Sequence, residues 1–333
     1  GSWIDIVNTA ATYSETPGTV GIWQYRAVVQ SGTCGSSNST VFSVTVAPVT
    51  VPGAVTGSIT ELCLGDPTGT LTLGGYTGTI LKWQRSTNGG TTWTDIANTT
   101  TTHSETPATA GTYMYRAEVQ SGSCGAAFST AHTITVHPAS VGGTVSGSST
   151  DICLGDATGT LTLSGYTGTI TKWQVSTNGG TTWNDISNTT ATYSETPATA
   201  GTYMYRAEVQ SGICSVDYSA TFSIVVHPLT VPGTVSGTNT DICLGDATGA
   251  LTLGGYTGSI VKWQKNLDGG SWIDIVNTAA TYSETPGSVG IWQYRAVVQS
   301  GTCGSSNSTA FSVTVAPATI AGAVSGTNTE ICL

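Results

Sequence analysis

The residues best suited to chemistry in this chain are its eight cysteines, which form two regularly spaced series. The early series, in the motif (E/D)-(L/I)-C-L, is Cys63, Cys153, Cys243 and Cys332. The late series, in the motif S-G-x-C, is Cys34, Cys124, Cys214 and Cys303. Successive members of each series lie 90, 90 and 89 residues apart. Cysteines in such fixed pairs predict disulfide bonds and an oxidising, extracellular setting, because a metal site would need clustered ligands such as C-x-x-C.

The cysteine spacing belongs to a tandem repeat that runs through the whole chain. Residues 1–64 return as 270–333 with nine substitutions. A proline ends each module of about 90 residues, at Pro48, Pro138, Pro228 and Pro317. These boundaries predict a partial domain over 1–48 with late strands, complete domains over 49–138, 139–228 and 229–317, and the first strand of a further domain over 318–333. Arrays of one small module commonly provide length and multivalency, so we expect one long polypeptide that continues past both partial modules.

Within this repeat we predict one disulfide per domain. The predicted pairs are Cys63 with Cys124, Cys153 with Cys214, and Cys243 with Cys303, with Cys34 and Cys332 paired outside the chain. Pairing inside a module lets each module fold independently and closes loops of about 60 residues, worth roughly 4 kcal/mol in the chain-entropy model. The alternative joins Cys34 to Cys63 and Cys124 to Cys153 across the module boundaries.

Composition argues against several classes of partner. The chain carries 9 Lys and Arg residues against 19 Asp and Glu residues, a formal net charge of −10. Because no basic patch is present, nucleic acid and anionic membrane surfaces are poor partners. No apolar stretch reaches the roughly 18 residues that suggest a membrane-spanning helix. We therefore expect no nucleic acid partner, no membrane span in this segment and no cofactor.

Short segments in which apolar and polar residues alternate predict β-strands throughout. In module 139–228 we predict seven strands, including one through Leu161 and Leu163 and a long one through Tyr203 and Tyr205. The predicted fold class is all-β, a tandem series of seven-stranded antiparallel Ig-like β-sandwiches. The tryptophans of the third strand are assigned to the core: Trp83, Trp173 and Trp263.

One combination of motifs resembles a known kind of protein. The pattern I-C-x-G, T-L-T, K-W-Q-S-x-(N/D)-G-G-x-x-W, then Y-x-Y-x-A-x-V-x-S-G-x-C, is similar to Ig-like repeats of giant bacterial cell-surface proteins. The resemblance implies adhesins or stalks, many of them exported by the type IX secretion system. It departs from antibody domains, because Ala27, Ala117 and Ala207 stand where the second core cysteine would lie.

Recurring charged residues suggest structure rather than catalysis. One Arg and one Glu recur in each module, such as Arg116 with Glu105 and Arg206 with Glu195, and we predict that they form a salt bridge. The Asp of C-L-G-D is expected to cap a turn. No Ser-His-Asp set and no G-x-S-x-G elbow is recognisable, so we expect no enzyme.

The favoured function is therefore an extracellular structural or adhesive repeat region that forms a rod or filament on or outside a bacterial cell. Its expected partner is itself, through tandem or lateral self-association. The alternative is an array of glycan-binding modules that contact cell-surface glycans through a tyrosine in the G-Y-T-G loop: Tyr76, Tyr166 and Tyr256. These tyrosines would otherwise cover one end of the sandwich.

Overall fold

A computed structural model of the chain describes residues 1–327 and residue 330. Every regular element in that part of the chain is a β-strand. None of these residues belongs to a helix long and apolar enough to cross a membrane. The predicted all-β fold class is therefore confirmed.

The strands follow the repeat. The partial module 1–48 contains β1 (Gly21–Tyr25), β2 (Val28–Val29), β3 (Ser37–Asn38) and β4 (Phe42–Val46). Module 49–138 contains β5 (Ala54–Thr56), β6 (Glu61–Cys63), β7 (Leu71–Gly74), β8 (Thr79–Ser86), β9 (Thr94–Ile96), β10 (Thr102–His103), β11 (Gly111–Gln120), β12 (Ala127–Phe128) and β13 (His132–His137).

The next two modules repeat this series of nine strands. Module 139–228 contains β14 (Thr144–Ser146), β15 (Asp151–Cys153), β16 (Leu161–Ser164), β17 (Thr169–Ser176), β18 (Asn184–Ile186), β19 (Thr192–Tyr193), β20 (Gly201–Gln210), β21 (Asp217–Tyr218) and β22 (Phe222–His227). Module 229–317 contains β23 (Thr234–Ser236), β24 (Asp241–Cys243), β25 (Leu251–Gly254), β26 (Ser259–Leu267), β27 (Ile273–Ile275), β28 (Thr281–Tyr282), β29 (Gly290–Gln299), β30 (Ser306–Asn307) and β31 (Phe311–Ala316).

Each complete module is a sandwich of two sheets. In module 139–228 the smaller sheet has the order β14-β16-β19, and the larger has the order β15-β22-β20-β17-β18 with β21 added beside β20. Modules 49–138 and 229–317 use the same order. The alternation seen in the sequence sets the inner faces: β20 turns Tyr203, Tyr205 and Ala207 into the core.

The core of each module is centred on one tryptophan. Trp173 is fully buried, and its indole Nε1 donates a hydrogen bond to the Thr190 carbonyl at 2.9 Å. Its ring lies against Tyr193, which in turn contacts Tyr205. Trp83 and Trp263 are equally buried. The three tryptophans assigned to the core thus lie in it, each with its polar atom satisfied by a backbone carbonyl.

Two details differ from the predicted sandwich. Each module has nine strands rather than seven, and the strand of three residues that ends at the early cysteine was not predicted. That strand pairs in parallel with the last strand of its module, as β15 does with β22. Three residues are too few to show a period-two pattern, so the sequence gives no sign of a parallel pair here.

By its internal contacts the chain divides into two compact units. One comprises residues 1–140 together with 210–215, and the other comprises residues 141–209 with those from 216 onward. The segment 210–215, which carries Cys214, therefore belongs to the same compact unit as Cys63.

Candidate functional site

The early cysteine is held at one end of the sandwich by the parallel strand pair. In module 139–228, Cys153 lies directly opposite His227, the last residue of β22, and the next residue, Leu154, donates its amide to the His227 carbonyl at 2.8 Å. Asp156 closes the turn that follows, because its Oδ2 accepts the Cys153 amide at 3.2 Å and its own amide bonds the Cys153 carbonyl at 2.9 Å. This is the turn-capping role expected for the Asp of C-L-G-D.

The late cysteine lies in a tight loop at the end of the longest strand, which we call the late loop (residues 30–35, 120–125, 210–215 and 299–304). In loop 210–215, the Cys214 amide donates to the Ser211 carbonyl at 2.9 Å. Gly212 has φ +53°, a left-handed conformation that glycine adopts without the cost a side chain would add.

The disulfides connect these two elements across consecutive modules. Cys63 is bonded to Cys214 with a Cα–Cα distance of 5.5 Å, and Cys153 is bonded to Cys303 at 5.4 Å. The predicted pairing within a module, Cys63 with Cys124, Cys153 with Cys214 and Cys243 with Cys303, is therefore wrong. The alternative that links Cys34 to Cys63 and Cys124 to Cys153 is wrong as well.

The reason is the direction of the strands. The early cysteine lies beside the final residue of the last strand, whereas the late loop of the same module precedes that strand. In module 139–228 the six residues of β22 separate the two ends, roughly 20 Å at the usual rise of a strand. A disulfide requires Cα atoms closer than about 7 Å. Cys153 and Cys214 thus lie at opposite ends of their module, and each meets a neighbouring module.

Three other contacts recur where a late loop reaches the preceding module. We use "joint" for the early cysteine, the end of the last strand, the first linker residues and the late loop that contacts them. In the joint of Cys63 and Cys214, Gly212 lies against the His137 ring so closely that a Cβ at position 212 would overlap it. The Cys214 Sγ lies 3.5 Å from the Pro138 carbonyl oxygen, and the Ser211 amide donates to the Ser140 hydroxyl at 2.9 Å.

The joint of Cys153 and Cys303 repeats these contacts. Gly301 lies against the His227 ring, Cys303 Sγ is 3.6 Å from the Pro228 carbonyl oxygen, and the Ser300 amide donates to Thr230 Oγ1 at 3.0 Å. Both joints also pair the histidine with an acid: His137 Nε2 lies 3.2 Å from Glu61, and His227 Nε2 lies 3.0 Å from Asp151. The hydrogen bond from His227 lowers the pKa of Asp151.

None of the motifs considered in the sequence includes these two histidines. The signal that would have found them is the dipeptide His-Pro, which stands at the module boundaries of 137–138 and 227–228 and nowhere else in the chain. The other two boundaries read Ala-Pro, with Ala47 and Ala316.

Three described cysteines form no disulfide within the chain: Cys34 and Cys243 are exposed and Cys124 is partly exposed. Cys332 lies outside the described residues. That Cys34 and Cys332 pair outside the chain stays a prediction. No group of three or more His, Cys, Asp or Glu residues in the described part of the chain could hold a metal ion.

The recurring Arg and Glu do not pair with each other, so the predicted salt bridge is wrong. Arg116 lies on the outer face of the larger sheet, with its guanidinium carbon 3.9 Å from the Trp93 ring centroid and 3.8 Å from that of Phe128. Glu105 lies elsewhere and accepts hydrogen bonds from the Tyr115 hydroxyl at 2.8 Å and from Arg85 at 3.0 Å.

The tyrosines proposed for glycan contact occupy similar places with different exposure. Tyr76 packs against the core cluster of its module. Tyr166 and Tyr256 are exposed over 37% and 36% of their surface. The loop tyrosine thus covers part of the sandwich in the first of these modules and leaves more of its ring in solvent in the other two.

Comparison with known families identifies the repeat. A family described as "Domain of unknown function (DUF8696)" matches residues 51–138, 141–228 and 231–317. The chain belongs to this family. Membership establishes three tandem DUF8696 modules, whose matched ranges begin two residues after the predicted module starts at 49, 139 and 229 and end at the same residues as those modules.

Other comparisons add little to this. The curated proteins contain no match to the chain. Among solved structures, the chain is similar to "Crystal structure of chicken CNTN1 FN1-FN3 domains", at 13% sequence identity and a TM-score of 0.30, over 80% of this chain and 98% of that one. At that TM-score the likeness carries no argument about function.

Proposed function

We propose that this chain is part of an extracellular structural and adhesive repeat region, on or outside a bacterial cell, whose DUF8696 modules are covalently locked to their neighbours. The observation that carries the proposal is the pair of disulfides that join consecutive modules, Cys63 to Cys214 and Cys153 to Cys303. A disulfide inside a module would stabilise that module alone. A disulfide between modules fixes the connection itself, which is what a structural array requires.

The disulfide gives each joint a second covalent path. Between β22 and β23 the polypeptide passes through the six residues 228–233. The Cys153–Cys303 bond connects the same two modules independently of that linker. A single proteolytic cut in the linker would therefore leave the two modules attached, and tension would be shared between the two connections. Both properties suit a fibre exposed to proteases and to pulling forces.

The location and the origin are also part of the proposal. Disulfides of this kind form and persist in oxidising compartments, which supports an extracellular setting. The bacterial cell surface and an adhesive role rest on the resemblance of the repeat to giant surface proteins. Near-identical modules would multiply any weak contact into avidity. The proposed role includes no catalysis.

The array of glycan-binding modules is the weaker candidate. It needs the loop tyrosine to be available in every module, and Tyr76 packs on the core of its own. Loss of glycan-array binding in a Tyr166→Ala, Tyr256→Ala chain would support it.

The proposed role is tested on cells that carry the protein. Antibodies raised against the chain should label fibres outside intact cells, and brief protease treatment of those cells should release the labelled material. Label confined to the cell interior would contradict the proposal. The second covalent path is tested by placing a specific protease site between Pro228 and Leu229. After cleavage the two parts should stay together until a reductant is added, and a Cys303→Ser chain should separate without it.

A further inference from the structure

The modules differ at one stacked arginine on the outer face of the larger sheet. In module 139–228 the Arg206 guanidinium lies between two rings. Its central carbon is 4.0 Å from the Trp183 centroid and 4.1 Å from the Tyr218 centroid. Arg116 is held between two rings in the same way. An aromatic ring is therefore the usual cover on each side of this arginine.

The arginine of module 229–317 has only the first of these rings. The Arg295 guanidinium carbon lies 3.9 Å from the Trp272 centroid. No second aromatic ring in the described part of the chain lies over its other face. The position that Tyr218 holds in the preceding module is occupied here by Asn307.

The strand register places the Asn307 side chain on the same face as Arg295. Asn307 lies opposite Val297, which stands two residues after Arg295 on β29. Tyr218 occupies the equivalent position opposite Glu208. Residues two apart on a strand share a face, and so do residues directly opposite each other in an antiparallel pair. The asparagine therefore lies beside the open side of the arginine.

Asn307 is exposed, and its side chain has no hydrogen-bond partner among the described residues. It begins the triplet N-S-T, which has the form of an acceptor for N-linked glycans. The Ser308 hydroxyl is buried and accepts the Ala296 amide at 2.9 Å. Thr309 is exposed, and its hydroxyl bonds no described residue. The acceptor amide and the third-position hydroxyl are thus both accessible.

The second ring and the acceptor triplet replace each other across the chain. The equivalent residues read F-S-T at 128–130 and Y-S-A at 218–220, where the arginine has two rings. The triplet N-S-T returns at 38–40. There Arg26 lies 4.0 Å from the Trp3 centroid, and no other described ring covers it. A module thus carries at this position either its own ring or an acceptor asparagine.

Two further N-T-T triplets begin at Asn98 and Asn188, but their side chains close a turn. Asn188 Nδ2 donates to the Thr192 carbonyl at 3.1 Å, and its Oδ1 accepts the Thr190 amide at 2.7 Å. Asn98 makes the same two bonds at 2.8 Å. A sugar there would replace an N–H of a side chain that already holds its turn at both ends. These two positions therefore serve as internal comparisons.

We propose that Asn307 is a site of N-linked glycosylation, and that its first sugar ring lies over the open face of Arg295, where Tyr218 lies on Arg206. Only the Nε of Arg295 has a partner within the described chain, Gln264 at 2.8 Å. Its other N–H groups are available to the oxygens of a sugar. The same proposal covers Asn38, 269 residues earlier. It rests on the extracellular setting of the proposed function and adds a covalent modification to it.

The modification needs a glycosyl donor of the lipid-diphosphate oligosaccharide class. Asn307 Nδ2 attacks C1 of the first sugar and forms the N–C bond. The bond between C1 and the diphosphate oxygen breaks, and its electron pair leaves with the lipid diphosphate. The amide proton passes to a base of the transferase that catalyses the step. No electron transfer is involved.

The test uses protein isolated from the cells that produce it, reduced and digested with trypsin. The four asparagines fall in different peptides, 27–82, 86–116, 173–206 and 296–333. Fragmentation that retains the sugar assigns its mass to a residue. We expect sugar on Asn307 and Asn38 in most copies, with Asn98 and Asn188 unmodified.

Two results would overturn the proposal, an unmodified Asn307 or equal occupancy at Asn188. An unreduced sample of the same protein reports separately on the proposed structural role. Disulfides between modules found together with a bare Asn307 would overturn this inference alone. Loss of those disulfides would count against the proposed function instead.

A pair of variants tests whether the sugar covers the arginine. Thr309→Ala removes the acceptor hydroxyl and copies Ala220 of the preceding module, so the chain should fold without the sugar. Phenylglyoxal should then modify Arg295 about fivefold faster than in the glycosylated parent. The reactivity of Arg206 should stay unchanged.

Asn307→Tyr provides the matched control. It also removes the sugar, but it supplies the ring that module 139–228 has at this position, so Arg295 should react as slowly as Arg206. Equal reactivity of Arg295 in the glycosylated parent and in the Thr309→Ala chain would mean that the sugar lies elsewhere, and would overturn the proposed contact.

Discussion

In the interior of module 139–228, Trp173 contacts Tyr193, and Tyr193 contacts Tyr205, all within one module. The joint at the end of the same module takes Cys153 and His227 from it and takes Cys303 from the next. The interior contacts are therefore made within one module and recur in each complete module. Each joint instead combines residues of two consecutive modules, because the early cysteine and the late loop lie at opposite ends of every sandwich. A module can thus be complete in its core and still depend on neighbours for every disulfide.

The largest effect is expected from a substitution in the core, which tests the interior of a module separately from the joint. Trp173→Ala removes a fully buried ring and leaves the Thr190 carbonyl without its donor. We expect a loss of about 3–5 kcal/mol in the stability of module 139–228. Hydrogen exchange resolved by peptide should show faster opening in that module, with the core of 229–317 protected as before.

The control for this change is Trp183→Ala. That ring is partly buried on the outer face, where the Arg206 guanidinium carbon lies 4.0 Å from its centroid. We expect the Trp183→Ala substitution to lower the stability of the module by only about 1–2 kcal/mol. Equal losses for the two tryptophans would contradict the assignment of Trp173 to the core.

A substitution at Gly301 should disturb the joint and leave the core of the module unchanged. Gly301→Ala places a Cβ at φ +52° against the His227 ring. The left-handed conformation alone costs roughly 1–2 kcal/mol for a non-glycine residue. We expect a large fraction of chains with free Cys153 and Cys303, counted by thiol labelling, while exchange in the core of 229–317 stays unchanged. Gly304→Ala, where nothing lies within 4 Å, should leave the disulfide fully formed.

A smaller effect is expected in the interior of module 49–138, at the carboxylate of Glu105. Burial alone would raise the pKa of Glu105, but His103 beside it and the hydrogen bonds from Tyr115 and Arg85 outweigh burial and lower that pKa to about 2. Because the pKa is lower in the folded state, this contribution to stability is present above about pH 4.5 and is lost as the pH falls toward 2.

Glu105→Gln should therefore cost about 1–2 kcal/mol at pH 7. The difference between variant and parent should shrink as the pH falls from about 5 toward 2. Urea unfolding, followed by hydrogen exchange in peptides of module 49–138, measures this difference in stability between variant and parent. A difference that does not depend on pH would mean that the carboxylate charge plays no part.

The smallest expected effect lies in the joint itself. His227→Ala removes the contact with Asp151 at 3.0 Å, but both groups are accessible to solvent, so the pair contributes at most about 1 kcal/mol. The chain already uses alanine at this position in Ala47 and Ala316. The Cys153–Cys303 disulfide should still form completely, as thiol counting would show. Its failure to form would mean that the ring is needed to seat Gly301.

The sequence predicts the interior better than the joint for physical reasons. A buried tryptophan and the alternation along β20 reflect local packing, which leaves a pattern in one module. The strand β15 spans three residues and pairs in parallel with a strand some 70 residues later, so no local pattern marks it. Without that strand, the position of Cys153 at the far end of the sandwich could not be inferred. The disulfide spans 150 residues, and because both cysteine series repeat with the same period, the spacing does not show which module supplies the partner.

The Arg and Glu residues show a related limit. Their recurrence in every module was real, but recurrence alone does not say which partner a charge has. Arg116 is held between the rings of Trp93 and Phe128, and a search for opposite charges does not reveal such aromatic partners. Glu105 faces the core tyrosine Tyr115 instead. Pairing charges from their shared period failed because Arg116 packs against aromatic rings while Glu105 bonds the buried Tyr115 hydroxyl and Arg85.

The most direct test of the account is a tryptic digest of the oxidised chain under non-reducing conditions. Cleavage after Lys and Arg leaves the cysteines in four peptides, 27–82, 117–172, 207–262 and 296–333. Disulfides between consecutive modules predict two separate linked pairs, 27–82 with 207–262 and 117–172 with 296–333. Disulfides within modules would instead connect 27–82 to 117–172, 117–172 to 207–262, and 207–262 to 296–333. Detection of that second set would contradict the joint and, with it, the proposed covalently locked array.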